Sequence, residues 1–265
     1  MRTRALAVTA LAVPAVILTA CSSSSSPAAA MTGSPAAAAS TVSGTVTVLA
    51  AASLQESFTT LGKQFEAAHP GTTVKLSFGA SSALAQQINQ GAPVDVFASA
   101  ALTNMKQVTD SGGASAPKNF ANNVMEIAAP PSNPAKVSGV ADLARPGVTV
   151  ALCQPQVPCG AVAAQVFKNA KITVTPVTQE QDVKSTLTKV QLNEVDAGVV
   201  YATDVKAAGS KVTGITISAD VNASTEYPIA ALSKAPNSVG AQAFVDYVLS
   251  PQGQTVLTAA GFEKP

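Results

Sequence analysis

The spacing of apolar positions alternates between strand-like and helical periods along the chain. Residues 45–51 form a short apolar run typical of a buried strand, and Leu54, Phe58 and Leu61 then recur at helical spacing. Residues 70–71 (Pro-Gly) end this first strand–helix unit. The pattern therefore predicts a βα unit at the start of the folded part.

The same alternation continues to the end of the chain. It predicts strands at residues 73–78, 94–99, 124–129, 148–152, 197–201 and 227–232, and helices at residues 82–90, 160–170, 182–192, 238–250 and 252–260. Strands and helices at this spacing predict an α/β fold with parallel-rich sheets flanked by helices on both faces. Such sheets bind ligands at the carboxyl ends of strands, close to helix N-termini.

The N-terminal 20 residues have the layout of a signal peptide. Arg2 and Arg4 give a positive start, and residues 5–20 carry no charge and are mostly apolar, a run too short to span a bilayer comfortably. Residues 18–21 (LTAC) resemble a bacterial lipobox, in which the cysteine, here Cys21, becomes the first mature residue and is acylated. An ordinary secretory signal followed by a chance cysteine is the alternative.

The residues after this signal differ in composition from the rest of the chain. Residues 22–44 are almost wholly Ser, Ala, Pro, Gly and Thr and carry no charge, so too little apolar surface is present to offset the entropy of ordering. We therefore expect residues 21–44 to be a lipidated cysteine and a flexible tether. This arrangement predicts an extracytoplasmic protein anchored to the cell membrane.

Charge and composition exclude several classes of function. Loss of residues 1–20 removes two arginines, so Lys and Arg fall from 16 to 14 against 15 acids, a net charge of about −1. Without a basic patch, a nucleic-acid partner is not expected. With no Trp and 4% aromatic residues, few rings are present to stack on a sugar or aromatic ligand.

Small hydroxyl residues fall at the junctions where strands lead into helices. Ser53 lies at the first junction, Ser81 and Ser82 at the second, and residues 158–160 (Pro-Cys-Gly) form a third candidate. Helix starts present unpaired main-chain N–H groups and a positive dipole end, so several together make an anion site without a charged side chain. Each serine alone could instead only cap its own helix, and Ser53 with Glu56 fits a capping box.

Seven short motifs resemble the molybdate-binding proteins of ABC importers, and they occur in the family's order over about residues 45–262. The motifs are AAASL (50–54), FGASSALAQQI (78–88), GAPVDVF (91–97), VPCG (157–160), EQDVK (180–184), GVVY (198–201) and EYPIA (226–230). Each one alone is a weak signal, whereas the ordered set is specific.

The resemblance implies which residues bind the ligand, molybdate or tungstate. Ser53 and Ser81 would each give a hydroxyl and a main-chain N–H, Cys159 and Val183 main-chain N–H groups, and Tyr201 its phenol. The position of Cys159 is commonly alanine in the family, a change that a main-chain donor tolerates. No bare metal ion and no cofactor are implied, because the molybdenum is bound as its oxyanion.

The resemblance also implies the architecture and the partners. It predicts the two-domain clamp of the type II periplasmic binding class, with a two-strand hinge at residues 124–130 and 227–232. Residues 45–123 and 233–265 would form domain one, and residues 124–232 domain two including the hinge crossovers. Closure around the ligand would be read by the membrane permease of an ABC importer. A monomer is expected.

The two remaining cysteines are expected to pair. Once Cys21 is acylated, Cys153 and Cys159 are left in an oxidising compartment, which favours a disulfide closing a small loop beside the third helix start. Two free buried thiols are the alternative.

Other classes of function have less support. The single histidine, His69, precedes a Pro-Gly turn, no nucleophile elbow or glycine-rich nucleotide loop is present, and the acids are scattered, so an enzyme is not expected. A cation binder would need clustered His, Tyr, Asp or Glu ligands. Among oxyanions, sulfate, thiosulfate and phosphate remain competitors, since a helix start rich in Gly and Ser suits them too.

Overall fold

The computed structural model describes residues 42–265. The predicted signal peptide, Cys21 and residues 22–41 of the predicted tether lie outside the described residues. Within residues 42–265, no helix is long and apolar enough to cross a membrane. Strands and helices alternate as the sequence pattern predicts, and the α/β fold class is confirmed.

Nine strands and eight α-helices make up this part of the chain. The strands are β1 (Gly44–Ala51), β2 (Thr72–Gly79), β3 (Val96–Ala98), β4 (Lys118–Ala129), β5 (Val150–Cys153), β6 (Thr178–Glu180), β7 (Ala197–Tyr201), β8 (Thr213–Thr216) and β9 (Ser224–Ala231). The helices are α1 (Gln55–Ala68), α2 (Ser81–Asn89), α3 (Leu102–Asp110), α4 (Pro158–Ala170), α5 (Val183–Gln191), α6 (Ala202–Ala208), α7 (Ser238–Leu249) and α8 (Pro251–Ala260).

The strands run in the order β2-β1-β3-β9-β4-β7-β5-β6, with β8 paired to β4. β1 is parallel to β2 and β3, and β5 is parallel to β6 and β7. The ladders made by β4 and β9 are antiparallel. The parallel ladders thus lie at the two ends of the order, and the long strand β4 connects them.

Strand β4 changes partners partway along its length. Its residues Lys118 to Val124 pair with β9, and Met125 to Ala129 pair with β7 and β8. The hydrophobic residues on either side form separate clusters. One cluster includes Met125, Val150 and Val199, and another includes Val46, Phe58 and Tyr227. The boundaries of the two domains stay a prediction.

Local sequence explains several helix ends. Helix α5 begins where Asp182 Oδ1 accepts the main-chain N–H of Ser185 at 2.8 Å, a side-chain cap of the helix start. Pro158 starts α4, where its missing N–H costs nothing. Gly261, with φ +99°, ends α8 in the left-handed region that favours glycine.

The capping box expected at Ser53 and Glu56 is wrong. Ser53 lies in a short 3-10 helix, Ala52–Leu54, and α1 begins after Leu54 without a side-chain cap. The Ser53 hydroxyl instead contacts Tyr227, which is 174 positions away, and Glu56 pairs with Lys184. Long-range partners thus outcompete the local cap.

Candidate functional site

Ser53, Ser81, Cys159, Val183 and Tyr201 all line one cavity. The structure brings these predicted residues together from elements on both sides of β4 in the strand order. The cavity has about 220 Å³ of space that is not filled by atoms, and this volume includes the part open to solvent. The further lining residues are Ala51, Ala52, Gly79, Ala80, Ala100, Val157, Pro158 and Asp182. Most of them are small, so main-chain atoms come close to the enclosed space.

The first wall of the cavity is formed by residues that come directly after strand β1. Ser53 is 4% exposed, and its Oγ lies 2.8 Å from the Oη of Tyr227, a buried residue of β9. The strand ends at Ala51, so the chain turns directly from the sheet into the 3-10 helix at the cavity. This turn brings Ser53 to the lining of the cavity.

The second wall of the cavity is formed by residues that come directly after strand β2. Ser81 is the first residue of α2, so its main-chain N–H has no acceptor within the helix. Its Oγ accepts a hydrogen bond of 2.9 Å from the main-chain N–H of Ala100. Because that N–H can only donate, the hydroxyl proton of Ser81 is free for a group inside the cavity.

The third wall is the start of α4. Cys153, the last residue of β5, is joined by a disulfide to Cys159, and their Cα atoms are 5.8 Å apart. Cys159 is the second residue of α4, so its main-chain N–H is also free of helical partners. A Cβ at Gly160 would meet the carbonyl oxygens of Gln154 and Cys153, the latter at 2.8 Å, so glycine is needed for this close approach.

The fourth wall is the start of α5. Val183 is the first helical residue and 3% exposed, and its main-chain N–H likewise lacks a helical acceptor. The neighbouring Asp182 also lines the cavity, and its Oδ1 caps Ser185. The dipole ends of α2, α4 and α5 therefore all lie at one cavity.

Tyr201 ends strand β7 and is 1% exposed. Its Oη is buried and has no hydrogen-bond partner within residues 42–265. Burial, with the nearby Tyr227 and Asp204, raises the pKa of the Tyr201 phenol well above its usual value of 10.0, so the phenol stays protonated. A buried, unpaired phenol is expected to find an acceptor, and a ligand in the cavity supplies one.

The site has no cationic side chain. Among the described residues, neither Lys nor Arg lines the cavity, and no group of three or more His, Cys, Asp or Glu side chains is placed to hold a metal ion. His69 lies at the end of α1, with its ring centroid 4.4 Å from that of Phe65, and does not line the cavity. The arrangement can bind an anion through dipoles and neutral donors.

Sequence reasoning missed the residues that support the site. Ala100, Asn123 and Tyr227 contact the serines or one another, and no local pattern marks these roles. Tyr227 did occur in a quoted motif, EYPIA, but the motif alone gave no function for its hydroxyl.

Comparisons with known proteins identify the family of the chain. Residues 46–263 match the family model described as bacterial extracellular solute-binding protein. The molybdate-binding protein ModA of Mycobacterium tuberculosis is 41% identical over 222 residues, which cover 83% of this chain and 85% of that protein.

Solved structures show the same fold. The periplasmic molybdate-binding protein of Azotobacter vinelandii has a TM-score of 0.73 at 20% identity, covering 83% of this chain and 99% of that one. The sulfate-binding protein SubI of Mycobacterium tuberculosis has a TM-score of 0.71 at 17% identity, covering 83% and 86%. The family match spans nearly all of the described residues, and the chain belongs to the family of bacterial extracellular solute-binding proteins.

Proposed function

We propose that this protein captures molybdate, and also tungstate, outside the cytoplasmic membrane and delivers it to the permease of an ABC importer. The observation that carries the proposal is one small cavity lined by Ser53, Ser81, Cys159, Val183 and Tyr201, which supply donors without a cationic side chain. The name of the 41% identical relative supports the same ligand. The protein binds its ligand without turnover, as a solute-binding protein does.

The donors of the site suit a fully deprotonated tetrahedral anion. Molybdate at neutral pH only accepts hydrogen bonds, whereas phosphate keeps a proton that needs an acceptor. A proton facing the donors of Ser53 or Tyr201 would leave a buried hydrogen bond unmade, a cost on the order of 1–3 kcal/mol. The one carboxylate at the cavity, Asp182, caps Ser185 through Oδ1. We expect phosphate to bind more weakly than molybdate, and Oδ2 of Asp182 is the carboxylate oxygen that could still accept its proton.

Another tetrahedral oxyanion, sulfate or thiosulfate, is the alternative ligand. The fold shared with a sulfate-binding protein supports it. Sulfate also lacks a proton at neutral pH, so only size separates it from molybdate. Its shorter bonds would leave several donors of the cavity too far away at once.

The proposed clamp follows the predicted boundaries. Residues 45–123 with 233–265 form domain one, residues 124–232 form domain two, and the crossovers at 124–130 and 227–232 form the hinge. The change of partners along β4 near Val124 supports a division there. Because Ser53 and Ser81 belong to one side and Cys159, Val183 and Tyr201 to the other, ligand binding would hold the clamp closed.

Membrane attachment is a separate proposal, based on residues 1–44. The mature protein begins at a lipidated Cys21 and acts as a monomer at the outer face of the membrane. In the Cys21→Ala variant, the protein should leave the membrane fraction and appear soluble. A variant that stays in the membrane fraction with its signal cleaved would refute lipidation.

Calorimetric titration with a panel of oxyanions tests the ligand. The soluble chain without residues 1–41 should bind molybdate and tungstate with one site, and sulfate and phosphate at least about 10-fold more weakly. Competition by sulfate or phosphate at concentrations comparable to molybdate would reduce the assignment to an unspecified oxyanion.

A further inference from the structure

One ion pair joins the two proposed domains beside the cavity. Lys184 Nζ, on α5 of domain two, lies 2.8 Å from each carboxylate oxygen of Glu56, on α1 of domain one. Of the five ion pairs among residues 42–265, this pair alone joins one proposed domain to the other, and the rest lie within a single domain. The pair is therefore formed only while the domains are close together.

Both partners of the pair lie next to residues that line the cavity. Glu56 follows Ser53 by three positions, and Lys184 directly follows Val183. Helix α5 also contacts the 3-10 helix that carries Ser53. The ion pair thus spans the first and fourth walls of the cavity, which a bound anion would bridge as well. Separation of these walls would break the ion pair and the contacts of the anion together.

Lys184 is held in place by a residue of its own domain. Its Nζ lies 3.0 Å from Oδ1 of Asp204, whose side chain has no exposed surface, and the Lys184 side chain itself is 19% exposed. Burial alone would lower the pKa of the Lys184 ammonium, but Asp204 and Glu56 outweigh it and raise the pKa above 10.5, so the group is charged. Exposed ion pairs usually contribute little, in part because two long side chains must be ordered. Here Asp204 has already ordered one of them.

We propose that Glu56 and Lys184 are positioning residues that hold the two domains together around the bound anion and thereby slow its release. The proposal rests on the solute-binding clamp proposed above. An anion between the two domains leaves when the domains separate, so the ion pair adds to the barrier for release. Because the pair consists of protein atoms alone, it also favours the closed arrangement of the empty chain.

The first test measures release of radioactive molybdate from the purified mature protein, chased with excess unlabelled molybdate. Glu56→Gln removes the ion pair and should raise the release rate by about 3-fold. Glu56→Lys places two ammonium groups together and should raise it by about 10-fold. Glu194→Gln is the matched control, since it removes a pair with Lys189 of 2.7 Å and similar exposure inside domain two. Its release rate should equal that of the parent chain.

The sign of the change separates this role from a general effect of charge. Glu56 is an anionic group near an anion site, so its neutralisation would by charge alone hold molybdate more tightly and slow its release. An unchanged or slower release rate in Glu56→Gln and Glu56→Lys would overturn the proposal. Neither Glu56 nor Lys184 lines the cavity, so the ratio of molybdate to tungstate affinity should stay the same. A changed ratio would show a direct effect on the ligand and would also overturn it.

The second test needs no ligand and so separates this proposal from the proposed function. In small-angle X-ray scattering, the empty Glu56→Lys chain should have a larger radius of gyration than the empty parent chain, with Glu56→Gln as the milder change. Equal radii in all three chains would show that the ion pair does not hold the domains together. A parent chain that binds no oxyanion would refute the proposed function, and the radii would still decide the role of the pair. Thermal unfolding identifies any variant that has failed to fold.

Discussion

Lys184 Nζ lies 3.0 Å from Oδ1 of Asp204, a carboxyl group with no exposed surface. The same ammonium lies 2.8 Å from Glu56 of α1, so one side chain links α1, α5 and α6. Burial raises the pKa of the Asp204 carboxyl, and Lys184 opposes that shift. The Lys184 ammonium therefore stabilises the negative charge of the buried Asp204 carboxylate, which burial alone would disfavour.

Replacement of Lys184 is expected to destabilise the protein. Lys184→Met leaves Asp204 buried without its cation, which should lower the free energy of unfolding by about 2–4 kcal/mol at neutral pH. Chemical denaturation measures the loss. Lys189→Met, which removes an exposed pair with Glu194, is the control and should have a much smaller effect. Similar losses in the two variants would contradict the role of burial.

The loss in Lys184→Met should also depend on pH. A carboxyl group with a raised pKa favours the folded state in its protonated form, and that contribution is lost as pH rises through the folded-state pKa. Without Lys184 the pKa of Asp204 rises further, so the deficit should be small near the ordinary value of 3.8 and widen toward neutral pH. Adding Asp204→Asn should remove most of the deficit at neutral pH. A deficit that does not change with pH would contradict this explanation.

Tyr201→Phe should separate binding from stability. The Tyr201 hydroxyl is buried without a protein partner, so its removal should leave the free energy of unfolding of the empty protein unchanged or slightly higher. Molybdate affinity should fall by about 10- to 100-fold, because a hydrogen bond to a charged oxygen is lost. Calorimetry and thermal unfolding measure the two effects, with Tyr247→Phe, away from the cavity, as the control. Unchanged affinity would place the ligand elsewhere.

Gly160→Ala should disturb the start of α4. The added Cβ would overlap main-chain carbonyl oxygens of residues 153 and 154, which cannot move as a flexible side chain can. We expect a loss of about 1–3 kcal/mol in stability and weaker molybdate binding, because the main-chain N–H of Cys159 is displaced. Gly139→Ala, where a Cβ meets nothing within 4 Å, is the matched control. Parent-like binding in Gly160→Ala would argue against the Cys159 donor.

The disulfide between Cys153 and Cys159 should protect the same helix start. Its sequence separation of 6 closes a short loop, for which loss of the cross-link should cost about 2 kcal/mol. Thiol labelling of the denatured, unreduced protein should find neither residue free. The Cys153→Ala/Cys159→Ala variant should bind molybdate more weakly than the parent chain. Two labelled thiols would show that the bond does not form in the exported protein.

Sequence patterns predict the helices and strands that depend on neighbouring residues, but they do not predict contacts between residues far apart in the chain. Apolar periodicity located β1, α1 and the helix start at Val183, because these elements depend on neighbours in the chain. Helices α3 and α6 and the short strands β6 and β8 were not predicted, since their apolar spacing is short and weak.

The support of the site depends on contacts that no local pattern contains. Ser53 meets Tyr227 across 174 positions, and Lys184 meets Glu56 across 128. The capping box at Ser53 failed for this reason. Family resemblance supplied the ligand set, whereas the contacts of Ser53 with Tyr227 and of Ser81 with Ala100 behind it were found only in the structure.

Because the cavity is lined by dipoles and has no cationic side chain, ligand binding should change the net charge of the protein. A dianion bound there keeps its charge, so loading should shift the net charge of the mature chain from about −1 to about −3, two units that no proton or counter-ion inside the site cancels. Empty and loaded proteins would then migrate apart in isoelectric focusing. A permease with positive charge around its docking surface would attract the loaded form more strongly at long range, before any contact with the anion itself.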